Sequence, residues 1–274
     1  MTRLMLCLSV MLALVLATHV HAAETMQIEG STTVGPICDA YAEVMAKMYP
    51  DLKITVNKTG SGNGAAALVD KRCEIAMMSR FMKDEEFKKA VENGVFPVAH
   101  ALAMDALCVI VNPSNNVGEL KIEQIRDIYL GKIKNWKELG GTDMPIVVIS
   151  RDTSSGTYES FDHFVMSKQK MGGGVEYVNS NPQAHARVKS TAGAIGYVGL
   201  GFIDDAVKAL KVNGITPSNE TAKNGTYPLS RPLFLFTNGY PKLGSMTYKF
   251  CTFHLTEEGQ DIIKKKGFIP VTNY

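Results

Sequence analysis

Three stretches of this chain gather hydroxyl side chains and glycines where a predicted strand gives way to a predicted helix. They are GSTTVGP at residues 30–36, TGSGNGA at 59–65 and RDTSSGTYESF at 151–161. The chemistry they offer is capture of an anion. The first N–H groups of a helix have no intrahelical partner and sit at the positive end of its dipole, so an anionic oxygen docks there. Serine and threonine hydroxyls add donors without adding charge, and glycine permits close approach. Each cluster alone also reads as ordinary N-cap chemistry. Three in one chain point to a shared ligand.

Other chemistries fit less well. Gly60, Gly62 and Ala65 match the dinucleotide pattern G-x-G-x-x-A, yet the next strand ends in Ser79-Arg80 where a ribose-binding carboxylate belongs. No Gly-Lys-Ser/Thr follows any of the loops, which removes Walker-type phosphate binding. Ser154, Ser155 and His163 lie close in sequence, but there is no G-x-S-x-G elbow, and about two helical turns separate His163 from Ser155. No catalytic residue is assigned, and the chain is not expected to be an enzyme.

The elements that must carry the clusters begin after an N-terminal segment of a different kind. Thr2-Arg3 gives a basic start, residues 4–17 are almost wholly apolar, and His21-Ala22-Ala23 offers small residues for cleavage. Residues 1–23 read as a secretory signal peptide; the alternative, a membrane anchor, asks more of so short an apolar run. The exported chain is expected to be soluble and periplasmic. The 274 residues, 45% of them hydrophobic, can bury substantial cores, and a formal charge of +2 gives no bulk argument for a nucleic-acid or membrane-surface partner. Any anion site is therefore local. Cys38, Cys73, Cys108 and Cys251 remain after cleavage and are read either as two disulfides or as small buried thiols. Neither they nor His100, His163, His185 and His254 have metal-ligand spacing, so no metal and no cofactor is expected.

Past residue 23, β-rich runs alternate with helical patterns. Strands are predicted at 26–29, 52–58, 74–79 and within 96–113, and helices at 35–48, 62–71 and 83–93. The rhythm restarts after Pro113, with helices at 121–130 and 155–166 and strands from 145, at 194–198 and within 227–238. A helix over 256–267 closes the chain, capped by Thr256 and ended by Gly267. This alternation predicts an α/β fold with a largely parallel sheet covered by helices. Periodicity leaves open whether the second α/β unit follows the first or is inserted into it.

The segments GSTTVGP, TGSGNG, IAMMSR, DALCVIVNP, IYLGKIKNW, SRDTSSGTYESF and GAIGYV, in this order, resemble the substrate-binding proteins of high-affinity phosphate ABC transporters, the PstS type. The resemblance implies a two-lobed periplasmic-binding-protein fold of type II, hinged by crossing strands. It places 24–107 and 234–274 in lobe 1 and 108–233 in lobe 2. It implies inorganic phosphate as ligand, an ABC-transporter permease as partner and a monomer. Donors to the anion are then Ser31, Thr32, Thr33 and Ser61 from lobe 1, and Arg151, Ser155, Gly156 and Thr157 from lobe 2. Some members carry an aspartate where this chain has Ser79-Arg80, so Arg80 is expected to contact the anion and Asp105 to accept its hydroxyl. The alternative for Asp105 is a turn residue or an ion-pair partner of Arg80. A carboxylate acceptor admits phosphate, which keeps a proton, and repels sulfate, which has none. Other readings are a binder of sulfate, molybdate or tungstate, or a sensing or adhesion protein on the same fold.

Overall fold

The computed structural model describes residues 24–272, so the predicted signal peptide lies outside them. Strands β1 (Thr25–Gly30), β2 (Lys53–Asn57) and β3 (Ile75–Met78) run parallel in the order β2-β1-β3. Helices α1 (Gly35–Met48), α2 (Ser61–Val69) and α3 (Asp84–Glu92) follow each strand in turn. The chain then enters one 15-residue strand, β4 (Pro97–Val111).

Beyond β4 come β5 (Glu119–Leu120), α4 (Ile122–Tyr129), β6 (Val147–Arg151), α5 (Gly156–Phe161), β7 (Glu176–Val178), α6 (Asn181–Lys189) and β8 (Ala194–Gly199). Two short strands, β9 (Lys208–Ala209) and β10 (Lys211–Val212), and helix α7 (Asn219–Lys223) precede the return strand β11 (Ser230–Asn238). Helices α8 (Met246–Thr252) and α9 (Glu257–Lys265) and strand β12 (Ile269–Pro270) complete the described chain. The end of α9 agrees with expectation: Thr256 Oγ1 accepts from Gly259 N–H, and Gly267 takes φ +78°.

The strands form the order β2-β1-β3-β11-β4-β8-β6-β7. Parallel pairing holds at both ends, while β4 is antiparallel to both β11 and β8, so the sheet is mixed where a largely parallel one is predicted. The exception has a function. Strand β4 pairs with β11 as far as Ala106 and with β8 from Leu107 onward, so one strand serves two sheets.

Burial follows the same division. One core, around Ile28, Tyr41, Leu235 and Phe250, takes its buried residues from 26–103 and 233–268, with Phe202 packed against it and a satellite around Leu68 and Phe236. The other, around Trp136, Tyr129, Phe161 and Tyr197, draws on 106–229 and Ile269. The second α/β unit is thus inserted into the first, and the fold is a two-lobed α/β one with β4 and β11 crossing between the lobes. Trp136 is fully buried, its indole N–H donating to Gly193 O at 2.9 Å.

All four described cysteines are free and buried, so of the two readings the disulfide one is corrected. Burial pushes the Cys73 and Cys251 thiols up to about 12 and keeps them protonated. Among the described residues no helix is long and apolar enough to cross a membrane.

Candidate functional site

Three strand ends meet where the lobes touch. After β1, the turn into α1 buries Ser31, Thr32 and Thr33. Ser31 Oγ accepts the N–H groups of Thr33 (3.1 Å) and Val34 (3.3 Å), so it braces the turn ahead of α1 and keeps its own proton to donate. After β6, Ser155 is the N-cap of α5, accepting from Thr157 and Tyr158 N–H at 3.2 Å each. For Ser155 the N-cap reading and the donor reading are therefore compatible. After β3, Ser79 N–H donates to Ser61 Oγ at 3.0 Å, and the two hydroxyls lie 3.3 Å apart.

The clusters face each other across the lobes. Thr33 Oγ1 lies 3.0 Å from Thr157 Oγ1. Thr32 Oγ1 accepts from Arg151 Nη2 at 3.3 Å. Gly156 comes so close to the first lobe that an added Cβ would lie 2.4 Å from Ser61 Oγ, which no side chain tolerates. Gly60, at φ +105°, packs on Ser154 in the same way, and Gly62 N–H donates to Ser154 O at 2.9 Å. Eight of the predicted donors, Ser31, Thr32, Thr33, Ser61, Arg151, Ser155, Gly156 and Thr157, are brought together.

Arg151 carries the charge of the site. Its side chain is buried, yet no carboxylate among the described residues pairs with it. Nε and Nη2 donate to the backbone of Val178 (3.3 Å) and Asn179 (2.9 Å), and Nη1 is buried with no hydrogen-bond partner. Burial pushes its pKa down to about 10, which still leaves it cationic at neutral pH. A desolvated cation without a counter-ion is costly, and an unfilled guanidinium N–H is half of a bidentate anion contact.

Two expected roles need correction. Arg80 does not face the donors: Glu86 takes its Nη1 and Nη2 at 2.8 and 2.7 Å, and Glu159 Oε2 lies 2.5 Å from its Nε. With two carboxylates on it, its charge is already matched. Asp105 pairs neither with Arg80 nor with an open face. It sits directly opposite Arg231 in the β4–β11 register, and Arg231 Nε and Nη2 reach Asp105 Oδ2 at 3.0 and 2.9 Å. Leu200 N–H fills Oδ1 at 2.9 Å. Burial raises the Asp105 pKa, and Arg231 opposes that rise.

Arg231 is one of three residues that sequence reasoning missed. It extends from the Asp105 pair to Thr157 Oγ1 (3.0 Å) and Ser160 Oγ (3.2 Å), tying the crossing strands to the start of α5. Asn181, at the start of α6, is fully buried; its Nδ2 donates to Thr32 Oγ1 at 3.0 Å and Thr33 Oγ1 at 2.9 Å. Ser79 is the third. The signals available were Ser180 and Pro182, which mark a helix start, and Ser79 itself at a strand end.

A two-lobed α/β fold, clamping opposed hydroxyls and one unmatched cation between its halves, defines a substrate-binding protein of the PBP superfamily, whose domain matches residues 17–258. Within it, the chain belongs to the family of the phosphate-binding protein PstS. It is 33% identical over 258 residues to the PstS of Borreliella burgdorferi, covering 90% of each chain. To the PstS of Staphylococcus epidermidis it is 35% identical over 244 residues, covering 85% of this chain and 74% of that one. Among solved structures it resembles a Clostridium perfringens protein assigned as a phosphate ABC transporter substrate-binding protein, with bound phosphate. There the TM-score is 0.82 and the identity 36%, over 91% of this chain and all of that one.

Proposed function

We propose that this protein is an exported phosphate-binding protein that closes two lobes around inorganic phosphate and delivers it to the permease of an ABC transporter, without catalysing a reaction. The observation that carries the reading is Arg151, buried, cationic, without a carboxylate partner among the described residues, with Nη2 on Thr32 Oγ1 and Nη1 without a hydrogen-bond partner. The lobes are 24–107 with 234–274, and 108–233; the separate cores support this division to within a few residues, apart from Ile269, which joins the second core, and Phe202, which packs on the first. Thr32, Thr33, Ser31 and Ser61 donate from the first, and Arg151, Ser155, Gly156 and Thr157 from the second. Asn181 and Ser79 join them. Asp105 acts at one remove, holding Arg231 so that Arg231 aims Thr157.

The chain functions as a monomer in the periplasm once residues 1–23 are cleaved. Relatives named for phosphate binding, matched over most of their length, support the ligand. Calorimetric titration of residues 24–274 with phosphate should give saturable one-to-one binding that Arg151→Met abolishes. Absence of binding by the unaltered protein refutes the proposal.

A second reading, a binder of another tetrahedral oxyanion such as sulfate, gains from one observation. The carboxylate expected to reject a fully deprotonated guest is held by Arg231 and Leu200 N–H. Hydroxyls, which donate as readily as they accept, discriminate less sharply. A sulfate titration decides: binding tighter than that of phosphate selects the second reading.

A further inference from the structure

Beside the donors, outside the anion site, the lobes meet through a second set of charges. Arg80 and Lys83 lie between β3 and the start of α3, and Glu86 lies in the first turn of α3. Glu159 lies on α5 in the other lobe. Glu86 grips Arg80 in a two-pronged contact at 2.8 and 2.7 Å and so fixes the plane of its guanidinium. Glu159 of the other lobe forms ion pairs with both cations: Arg80 Nε stands 2.5 Å from Oε2, without hydrogen-bond geometry, and Lys83 Nζ 3.0 Å from Oε1. Arg80 and Glu159 are largely buried, with side-chain exposures of 9% and 15%.

Within the contact, Arg80 and Lys83 against Glu86 leave one positive charge, which Glu159 of the other lobe matches; Asp84 and Glu85 lie exposed beside them. None of these residues is among the anion donors, so the contact does not need a ligand. Burial raises the Glu159 pKa against the pull of Arg80 and Lys83.

We propose that Glu159, gripped by Arg80 and Lys83, is an inter-lobe clasp that holds the protein closed irrespective of ligand and thereby slows anion release. Glu159 is a positioning residue: it stands two residues beyond Thr157 and keeps α5 against the first lobe. A protein whose binding-competent form is more populated binds its ligand correspondingly tighter. Truncating one partner of a buried charge pair at an interface acts mainly on dissociation.

The part concerning release rests on the phosphate reading; the part concerning closure does not, and the test separates them. Small-angle scattering compares ligand-free wild type with Glu159→Gln, and stopped-flow displacement measures phosphate release from both. Glu159→Gln should enlarge the radius of gyration without ligand and speed release about tenfold or more. Lys83→Met should do the same to a smaller extent and add little to Glu159→Gln. Its separate effect keeps the test open should Glu159→Gln fold poorly. Equal radii for wild type and both variants overturn the clasp. Unchanged release with altered radii overturns its link to the ligand. Wild type that binds no phosphate while the radii differ overturns the phosphate reading and leaves the clasp standing.

Discussion

Arg151 and Asp105 show how differently two buried charges behave. Asp105 has Arg231 directly across the strand pair, whereas Arg151 has only carbonyls and one hydroxyl. Arg151→Met should therefore stabilise the ligand-free protein while removing phosphate binding, because it deletes a desolvation cost along with the anion's partner. Thermal unfolding with and without phosphate checks both halves: a higher ligand-free Tm and no phosphate-induced rise. Asp105→Asn leaves Arg231 buried and unmatched and should cost about 3–5 kcal/mol. Removing both charges with Asp105→Leu and Arg231→Met should recover much of that loss in a double-mutant cycle. The sequence displays the hydroxyl clusters and Arg151 because their neighbours lie within a few positions. It hides the Asp105–Arg231 pair, whose members are 126 positions apart. Without the register of β11 against β4, the nearer Arg80 looked like the natural partner, although Glu86, six residues on, satisfies it.

At the scale of elements, helices and strands with strong patterning agree with expectation. Helix α1 begins and ends where its small-residue start and apolar periodicity place it. Helix α6 was missed because only Asn181, Ala184 and Val188 of its nine residues are buried, which leaves little periodic signal. With it went Asn181, and α8 was missed as well. The segment that joins α8 to α9 carries His254, and β4 carries His100; burial lowers both pKa values below the ordinary 6.5, His254 adds to the lowering at His100, and the Cys251 carbonyl opposes it at His254. A base whose folded pKa is depressed stabilises the fold above the unfolded value, and that contribution is lost as pH falls through it. Stability should therefore decline as pH drops below about 6.5, before carboxylates titrate. Unfolding midpoints in denaturant between pH 7 and 5 check this, and His254→Gln should flatten the slope.

For the whole molecule, the decisive feature is that two separately packed cores share crossing strands. Each lobe keeps its own core whatever the angle between them, so the contacts between lobes set the equilibrium of opening and closing. Those contacts include the opposed donors around Arg151, the charges around Glu159 and the packing of Phe202 on Phe268. Only the first is expected to involve the ligand. Alternation of strands and helices predicts two α/β units, but periodicity is local and cannot reveal that β4 changes sheet at Leu107. The most direct measurement of the central claim is a crystal structure of the protein grown with phosphate. One phosphate bonded to Arg151 Nη1, to the Thr32 region of one lobe and to the Thr157 region of the other is expected. Phosphate held by a single lobe, or bound away from Arg151, contradicts it.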